Sequence, residues 1–298
     1  MLLLITGSRD GTSDSICRKL ENKVFRINYD LFNEYSLKFT PNKWQISNPQ
    51  GLLITSENVT ACLWWKAFNF ELENQDNFVV QEVKYIFREL YAWSRLRNLT
   101  KGNPYDFHNS LGKVNLLDIA SKYFIVPETL ISFQCSGVKN LKKMPIVAKS
   151  LSSALTNNKA SLLTTEVDIS CLDPKFPWYL QEKVESDFDL TVVVCGERLF
   201  AYEKTRKNLK GLDWRGEQNF DPDIREWSKF DLTHEERNSI ERFCKDIKVD
   251  WGRIDFMKRD GELVFLEYNA NGQWMFLDYH EEDGILACVL DYLLQNSH

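Results

Sequence analysis

Three residues near the carboxyl end of the chain are suited to hold a hard metal ion. Asp255 lies in one hydrophobic segment, and Glu267 and Asn269 lie in the next, after a turn at residues 259–261. Side chains at positions i and i+2 of a strand point to the same side, so we expect Glu267 and Asn269 to project together. A hairpin would bring Asp255 beside them. Carboxylate and amide oxygens suit Mg²⁺, so the sequence predicts a magnesium site.

Basic side chains near this segment could neutralise phosphate. Arg253 lies two residues before Asp255 and could stabilise developing negative charge, or form a structural ion pair with one of the acids. Lys149 ends an apolar segment and precedes a polar stretch at 150–159, where a phosphate clamp with a mobile closing loop would lie. Lys113 opens a predicted helix. For both lysines, a solvated surface charge is the simpler interpretation.

Other segments could bind the rest of a nucleotide or a substrate. Residues 179–184 form an extended segment that could supply the apolar slot and backbone groups that adenine requires. Asp189 follows and could accept hydrogen bonds from a ribose, although a surface turn acid explains it equally well. The tripeptide 213–215, Asp-Trp-Arg, lies in an irregular polar stretch and could also be a loop with an aromatic anchor.

Composition excludes several classes of protein. The chain has 298 residues, 43% of them hydrophobic, which is typical of a globular protein with two or three sub-domains. A net charge of -6 argues against broad nucleic-acid binding. Seven scattered cysteines without a CxxC pair indicate reduced thiols in the cytoplasm. We find no signal peptide, membrane span, hydrolase triad, P-loop or GxGxxG motif.

The elements that must position these residues alternate between strands and helices. Residues 1–28 predict a β-α-β unit with its helix at 14–20, and residues 98–110 predict a loop at a domain boundary. The other predicted helices cover 78–99, 113–122, 233–246 and 284–295, and the other strands cover 43–46, 51–54, 61–65, 127–133, 144–149, 178–184, 190–195 and 199–203.

Taken together, these segments resemble the ATP-grasp fold, and in particular D-alanine–D-alanine ligases. The resemblance rests on IVAK at 146–149, QEKV at 181–184, DLTV at 189–192, WGRIDF at 251–256 and FLEYN at 265–269. It implies an α/β (α+β) protein with an N-terminal pre-ATP-grasp domain at 1–110, a central sub-domain at 111–184 and a C-terminal sub-domain at 185–298. The nucleotide would bind between the last two.

The resemblance also implies ATP and Mg²⁺ as cofactors and assigns roles to the candidate residues. These roles are phosphate binding by Lys113 and Lys149, adenine contact by Gln181, Glu182 and Val184, ribose binding by Asp189, metal binding by Asp255, Glu267 and Asn269, and stabilisation of the transition state by Arg253.

A narrower resemblance is to the ATP-grasp maturases of graspetides, the microviridin-type peptide cyclases. It rests on the DWR tripeptide, on FLEYNANGQW at 265–274 and on a Trp64-Trp65-Lys66 segment that partly matches a W-[WY]-R-R-like motif. It covers residues 1–110 loosely and 111–298 closely. Two departures stand out, because Thr191 and Ala67 occupy positions where this family usually has Arg.

This second resemblance implies a ligase that activates an Asp or Glu side chain of a precursor peptide as an acyl phosphate. A hydroxyl or an amine would then attack to form an ester or an amide. The catalytic residues would be Arg253, Arg215 and Lys149, and the substrate contacts would be Asp213, Trp214, Arg215 and Lys66. The expected partner is a precursor peptide with leader and core, with no nucleic acid or membrane, and the enzyme could form a homodimer.

Two other functions stay open at this point. One is an ATP-grasp ligase that joins a free amino acid or small carboxylate to an amine, for which a small closed cavity would be expected. The other is a nucleotide-binding protein without ligase chemistry. The complete set of lysines, arginine and metal ligands argues against the latter.

Overall fold

The computed structural model describes residues 1–66, 72, 75–104, 106–133, 145–151, 163–217 and 224–295. The polar stretch at 150–159 lies outside these residues except for its first two positions, and Ala67 lies outside them too. Within them the chain forms four sheets, and the strands of one small antiparallel sheet lie in sequence between those of the parallel sheet. None of the described helices combines the length and apolarity that crossing a bilayer requires.

The N-terminal unit contains a parallel sheet and a small antiparallel sheet. Its elements are β1 (Leu2–Thr6), α1 (Gly11–Leu20), β2 (Val24–Asn28), β3 (Ser36–Phe39), β4 (Trp44–Ser47), β5 (Leu53–Thr55), β6 (Ala61–Trp64), α2 (Asn77–Leu96) and β7 (Thr100–Lys101). The parallel sheet has the order β2-β1-β6-β7, and β3, β4 and β5 form the antiparallel sheet. The predicted β-α-β start is confirmed, since β1 pairs with β2 in parallel.

The prediction of a loop over 98–110 is wrong in part. β7 pairs with β6, and the short helix α3 (Phe107–Leu111) follows. Gly102 and Asn103 suggested a loop because neither favours regular structure. The two-residue strand exists through its pairing with a distant segment, which local propensity does not report.

The connection that follows β1 runs to one side of the parallel sheet, to β2, and the connection that follows β6 runs to the other side, to β7. The carboxyl ends of β1 and β6 therefore border the topological switch point, where open α/β sheets commonly bind ligands. Two segments emerge there. One is the turn that ends with Asp10, the N-cap of α1, and the other is Trp65-Lys66 after β6.

Two antiparallel sheets make up the rest of the fold. The first follows α4 (Lys113–Ala120) and consists of β8 (Thr129–Ser132), β9 (Ile146–Lys149), β10 (Thr165–Val167) and β11 (Trp178–Glu182) in the order β10-β9-β11-β8. The second consists of β12 (Phe188–Cys195), β13 (Arg198–Thr205), β14 (Ser228–Lys229), β15 (Trp251–Arg259) and β16 (Glu262–Asn269) in the order β14-β13-β12-β15-β16. Helices α5 (His234–Asp246) and α6 (Ile285–Leu294) complete the fold.

The two faces of the second sheet have different neighbours. On one face, Phe256 and Phe265 pack with Phe124 and with Phe243 of α5 in a buried aromatic cluster. On the other face, Val193 belongs to a core that also contains residues of α6 and of the N-terminal sheet. Alternate residues of each strand serve the two faces, which is the ordinary consequence of a period of two.

The N-terminal unit shares that core with the second sheet. The buried cluster contains Leu4 and Trp65 from one unit, Trp251 from the other and Val289 of α6 between them. Trp65 meets Trp251 edge to face, with ring centroids 6.0 Å apart. The two ends of the chain therefore pack as one body, and the site on β15 has a fixed neighbour.

Asn103 links the segment after β7 to the second sheet. Its buried Nδ2 lies 2.7 Å from Trp251 O, from Tyr268 Oη and from Ala270 O. Trp251 and Tyr268 belong to the two strands that carry the candidate metal ligands, and Ala270 directly follows the second of them. Buried acceptors that lose their donor keep the cost of desolvation, so this amide should contribute measurably to stability.

We expect Asn103→Ala to lower the free energy of unfolding by about 1–3 kcal/mol, because the buried acceptors lose their shared donor. Urea unfolding followed by tryptophan fluorescence measures this. As a control, Gln50→Ala at an exposed position should change stability by less than about 0.5 kcal/mol. Equal stability of the two variants would contradict the role of Asn103.

Candidate active site

A β-bulge brings the predicted metal ligands onto one face. Near the turn, Phe256 pairs with Phe265, but Asp255 pairs with Glu267, so the register shifts by one residue and Leu266 is the extra one. With regular pairing, Leu266 would stand opposite Asp255. The bulge exchanges the two faces of β16 along this stretch, and Glu267 and Asn269 come to lie beside Asp255.

Asp255 lies at the centre of a hydrogen-bond network. Its Oδ1 accepts from Thr191 Oγ1 at 2.7 Å and from Arg253 Nε at 3.1 Å. Its Oδ2 accepts from Arg253 Nη2 at 3.0 Å and from Asn269 Nδ2 at 2.7 Å. The two-point pairing with the guanidinium sets the orientation of the carboxylate. Thr191, at a position where the resembled family usually has Arg, is thus a hydrogen-bond partner of Asp255.

Glu267 faces the lysines. Burial by itself would raise the pKa of this carboxyl, but nearby Lys149 and a hydrogen bond from Asn269 outweigh it, and the pKa lies below its usual value. Glu267 is therefore ionised at neutral pH. In the opposite sense, burial lowers the pKa of Lys149, and the charge of Glu267 limits this shift.

The arrangement of Asp255, Glu267 and Asn269 fits Mg²⁺. Asn269 Nδ2 lies 2.7 Å from Asp255 Oδ2 and 3.1 Å from Glu267 Oε1, so the three side chains already converge. Two carboxylates and an amide oxygen are hard ligands, and Mg²⁺ typically uses one or two carboxylates together with substrate phosphates. This cluster has two carboxylates and an amide. Within the described residues, no group of three or more side chains that are all His, Cys, Asp or Glu could hold a metal.

The two candidate phosphate lysines meet at one edge of the cleft. Lys149 Nζ, at the end of β9, donates to Gln181 Oε1 at 2.6 Å, and Gln181 Nε2 donates to Thr129 Oγ1 at 2.9 Å. Lys113, in the first turn of α4, donates from Nζ to the carbonyl of Ser150 at 3.3 Å. The side chain of Gln181 thus orients Lys149 from the neighbouring strand.

The segment predicted to contact adenine has its polar side chains engaged by the protein. Glu182 forms an ion pair with Arg259, with a distance of 2.6 Å, and accepts a hydrogen bond from the backbone of Glu128. Val184 packs with Met257 and Val264. This segment can therefore offer an adenine ring its backbone and the apolar surface of Val184, rather than its carboxylate.

Asp189 is held by an arginine that sequence reasoning missed. Arg206 Nη1 lies 2.7 Å from Oδ1 and 2.8 Å from Oδ2 of Asp189, and its Nη2 donates to the carbonyl of Leu212 at 2.9 Å. Burial raises the pKa of Asp189 to about 6, and Arg206 offsets only part of that effect. The position of Arg206 shortly after the strand predicted at 199–203 was the available signal.

The Asp-Trp-Arg tripeptide is organised around Asp213. Arg215 donates to it from Nε at 2.8 Å and from Nη2 at 2.6 Å, and Thr164 donates from its backbone at 3.3 Å. Burial would raise the pKa of Asp213, but Arg215 outweighs this and lowers it. Trp214 packs against Trp227, with ring centroids 5.3 Å apart. Asp213 therefore holds Arg215, whose side chain remains 52% exposed.

All of the predicted site residues except Lys66 line one cleft of about 670 Å³ between the two antiparallel sheets. This volume is typical of small-molecule sites. The residues are Lys113, Lys149, Gln181, Glu182, Val184, Asp189, Asp213, Trp214, Arg215, Arg253, Asp255, Glu267 and Asn269, with the unpredicted Lys183 and Arg206 beside them.

Lys66 lies apart from that cleft, at the carboxyl end of β6. Its ammonium is 5.8 Å from the centroid of the Trp65 ring. Burial lowers the pKa of Lys66, the charge of Asp10 opposes this shift, and Arg253 adds to it. The predicted substrate residue therefore belongs to the N-terminal unit and does not line the nucleotide cleft.

Comparisons with known proteins connect this geometry to a fold. No protein-family profile matches the chain, and no curated protein sequence matches it. Among solved structures, a RiPP-associated ATP-grasp ligase from Chryseobacterium gregarium, in complex with ADP and a leader and core peptide, matches with a TM-score of 0.81 and 22% identity, covering 98% of this chain and 96% of that one.

Two further structures agree. The macrocyclase MdnC from Microcystis aeruginosa MRC, bound with precursor peptide MdnA, matches with a TM-score of 0.78 and 20% identity over 99% of both chains. A D-alanine–D-alanine ligase from Bacillus anthracis, complexed with ATP, has a TM-score of 0.57 and 13% identity over 99% of this chain and 95% of that one. The chain therefore has the ATP-grasp fold, with greater structural likeness to RiPP-associated ligases than to that D-alanine–D-alanine ligase.

Proposed function

We propose that this protein is an ATP-dependent ligase that crosslinks a precursor peptide through an Asp or Glu side chain. The observation that carries the proposal is the cleft in which three lysines, three arginines and a carboxylate–amide cluster converge. The structures with TM-scores of 0.81 and 0.78 were solved with a leader and core peptide or with a precursor peptide, which supports a peptide as substrate.

We also propose the organisation that this function requires. Residues 1–110 form the substrate domain, and residues 111–184 and 185–298 form the two sub-domains that bind ATP between them. The enzyme acts in the cytoplasm, where ATP and Mg²⁺ are available and thiols stay reduced. A homodimer remains a prediction, which light scattering on the purified protein would check.

In the first step, an oxygen of the substrate carboxylate attacks the γ-phosphorus of ATP, and ADP leaves. Lys113 and Lys149 neutralise the phosphates, and Gln181 holds Lys149 in place. Asp255, Glu267 and Asn269 would hold Mg²⁺, which would supply positive charge to the phosphates. Positioning and charge neutralisation account for most of the catalysis that this reaction needs.

In the second step, a hydroxyl or amine of the peptide attacks the carbonyl carbon of the acyl phosphate. Inorganic phosphate leaves with the bonding electrons and takes up the proton of the nucleophile, and each closed ring has lost one water overall. Arg253 lies where negative charge develops on the oxygens of the reacting group. Arg215, held by Asp213, pairs with the substrate carboxylate through its planar fork, and Lys66 contacts the peptide from the N-terminal side.

The proposal is tested with purified protein, ATP, Mg²⁺ and the peptide encoded beside its gene. We expect ADP and a peptide that is lighter by one water for each ring, read by mass spectrometry. Turnover with a free amino acid and none with peptide would instead indicate a small-molecule ligase. Binding of ATP without turnover of any substrate would indicate a non-catalytic nucleotide-binding protein.

We expect Glu267→Gln to lower the rate of ADP formation at least about 100-fold. The neutral amide of Gln lacks the negative charge that binds Mg²⁺ and that pairs with the ammonium of Lys149. A coupled assay for ADP measures this. Glu262→Gln is the matched control, since Glu262 lies exposed on the same strand, β16, and its replacement should leave the rate unchanged. If Glu267→Gln keeps full activity, the metal site is assigned wrongly.

We expect Arg215→Ala to raise the KM for peptide about 10- to 100-fold, because a bidentate pair with a substrate carboxylate is lost, while the KM for ATP changes little. Steady-state kinetics with each substrate varied in turn separates the two constants. Arg95→Ala, at an exposed position of α2, should change neither. A selective effect of Arg215→Ala on ATP would assign this arginine to the nucleotide instead.

The pKa of Asp189, about 6, predicts a pH dependence of ATP binding. This value is above that of a free Asp, so the acid gains a proton as the pH falls through 6 and loses its hold on Arg206 and on a ribose. Near pH 5.5 the ionised fraction is about a quarter, so the KM for ATP should rise about fourfold relative to pH 7.5.

Asp189→Asn controls for titration of the nucleotide itself, because both enzymes meet the same ligand. This variant should have a raised KM for ATP at each pH, and the ratio of its KM to that of the wild type should fall as the pH is lowered. A constant ratio between pH 5.5 and 7.5 would show that Asp189 does not control nucleotide binding.

A further inference from the structure

The turn that follows β16 lies directly against the active site. A Cβ atom on Gly272 would come within 2.9 Å of Asn269 Cβ and 3.1 Å of Arg253 Cβ, so only glycine lets the turn pass this closely. The next residue, Gln273, accepts a hydrogen bond on its backbone carbonyl from Arg253 Nη1 at 2.8 Å. The position of this turn is therefore coupled to the position of the arginine.

Arg253 is held on two sides by this arrangement. Asp255 accepts hydrogen bonds from Nε and Nη2, and the Gln273 carbonyl accepts one from Nη1. A guanidinium has five N–H donors, so these contacts use three and leave one on each terminal nitrogen for a reacting group. Because a carboxylate at one edge still allows the plane to tilt, the carbonyl at the other end restricts that tilt.

The side chain of Gln273 is itself held by the N-terminal unit. Thr12 Oγ1 donates to Gln273 Oε1 at 2.6 Å, and Gln273 Nε2 donates to Asp10 Oδ2 at 3.1 Å. An ionised carboxylate only accepts hydrogen bonds, so Asp10 determines which end of the amide faces it. Thr12 and Asp10 are buried, with 3% and 4% of their surfaces exposed, which makes this polar contact well shielded from water.

Asp10 is in turn a fixed point of the N-terminal unit. Its Oδ1 accepts from Ser13 N at 2.7 Å as the N-cap of α1, from Ser13 Oγ at 2.8 Å and from Trp65 Nε1 at 3.0 Å. It joins the segments that leave β1 and β6 at the switch point of the parallel sheet. A continuous set of contacts thus runs from this switch point through Gln273 to the guanidinium of Arg253.

We propose that Gln273 is a positioning residue for Arg253, and that Thr12 and Asp10 of the N-terminal unit hold it in place. The inference rests on the proposed ligase function, in which Arg253 stabilises developing charge. Gln273 touches no reacting atom and acts through the arginine. The N-terminal unit, to which we assign the peptide, thereby determines the geometry of a catalytic residue on β15.

The test uses Thr12→Val, which keeps the shape of the side chain and removes the hydroxyl. We expect kcat to fall about 3- to 10-fold, the effect of one lost hydrogen bond, with the KM for ATP unchanged. Thr12→Ser restores the donor and should restore kcat. Ser15→Ala is the matched control, because it removes a buried hydroxyl from the same helix, α1, that bonds Arg18 and contacts neither Asp10 nor Gln273, and it should leave kcat unchanged.

A double-mutant cycle separates positioning from a general loss of structure. In an Arg253→Lys background, Thr12→Val should lower kcat no further, because the group that it orients is absent. An equal, additive loss of kcat in both backgrounds would overturn the proposal. So would a loss in Ser15→Ala as large as that in Thr12→Val.

A readout without turnover keeps this inference separate from the ligase proposal. The Nε–Hε resonance of Arg253, assigned in ¹⁵N-labelled protein through its loss in Arg253→Lys, should shift or broaden in Thr12→Val and recover in Thr12→Ser. An unchanged resonance in Thr12→Val would overturn the positioning role. If the wild type makes no ADP with any substrate, the ligase proposal fails, and the resonance still decides whether Gln273 positions Arg253.

Discussion

The β-bulge between Asp255 and Phe256 places polar side chains of two strands on the same face of a sheet. These side chains are Asp255 on β15 and Glu267 and Asn269 on β16. On its hairpin side, β16 pairs with β15 in a register that would present Leu266 and Tyr268 to the cleft. Beyond the shift, Glu267 and Asn269 take those places, and Tyr268 is buried on the opposite face beside Asn103. Every later feature of the site depends on this exchange, because a one-residue change in register moves each side chain to the other face.

Buried charge sets the second constraint. Four carboxylates of the cleft, Asp189, Asp213, Asp255 and Glu267, each lie near a cation, which for Asp189 and Glu267 comes from a neighbouring element and for Asp213 and Asp255 from the same segment. Removing one partner of such a pair leaves the other charge uncompensated, which is costly in a dry interior. The pairs therefore keep the arginines and lysines oriented in the cleft through contacts between groups of the protein. A polyanion such as a triphosphate meets cations that need little reorganisation.

The N-terminal unit is part of this order. It shares a hydrophobic core with α6 and the second sheet, and its polar contacts at Asp10 and Thr12 reach Gln273. The apolar core resists separation of the two units, and the hydrogen bonds specify their orientation. These contacts fix the N-terminal unit, including Lys66, relative to Arg253.

Part of this protein can be predicted from its sequence alone. The alternation of Arg253 with Asp255, and of Glu267 with Asn269, determined that each pair shares a side of its strand, because a strand has a period of two. The capping box of Thr233 and Glu236 marked the start of α5 for a similarly local reason. The type and order of most elements followed from such patterns.

Tertiary structure alone decided the relations between elements. The bulge that aligns the two pairs has no glycine to mark it, and the short strand β7 exists only through its pairing with β6. Likewise, Arg206 meets Asp189 across neighbouring strands, and Gln273 meets Thr12 across 261 positions of the chain. Sequence periodicity reports which side chains share a face of one element. Which faces then meet depends on register and packing, and these are set by the free energy of the whole fold.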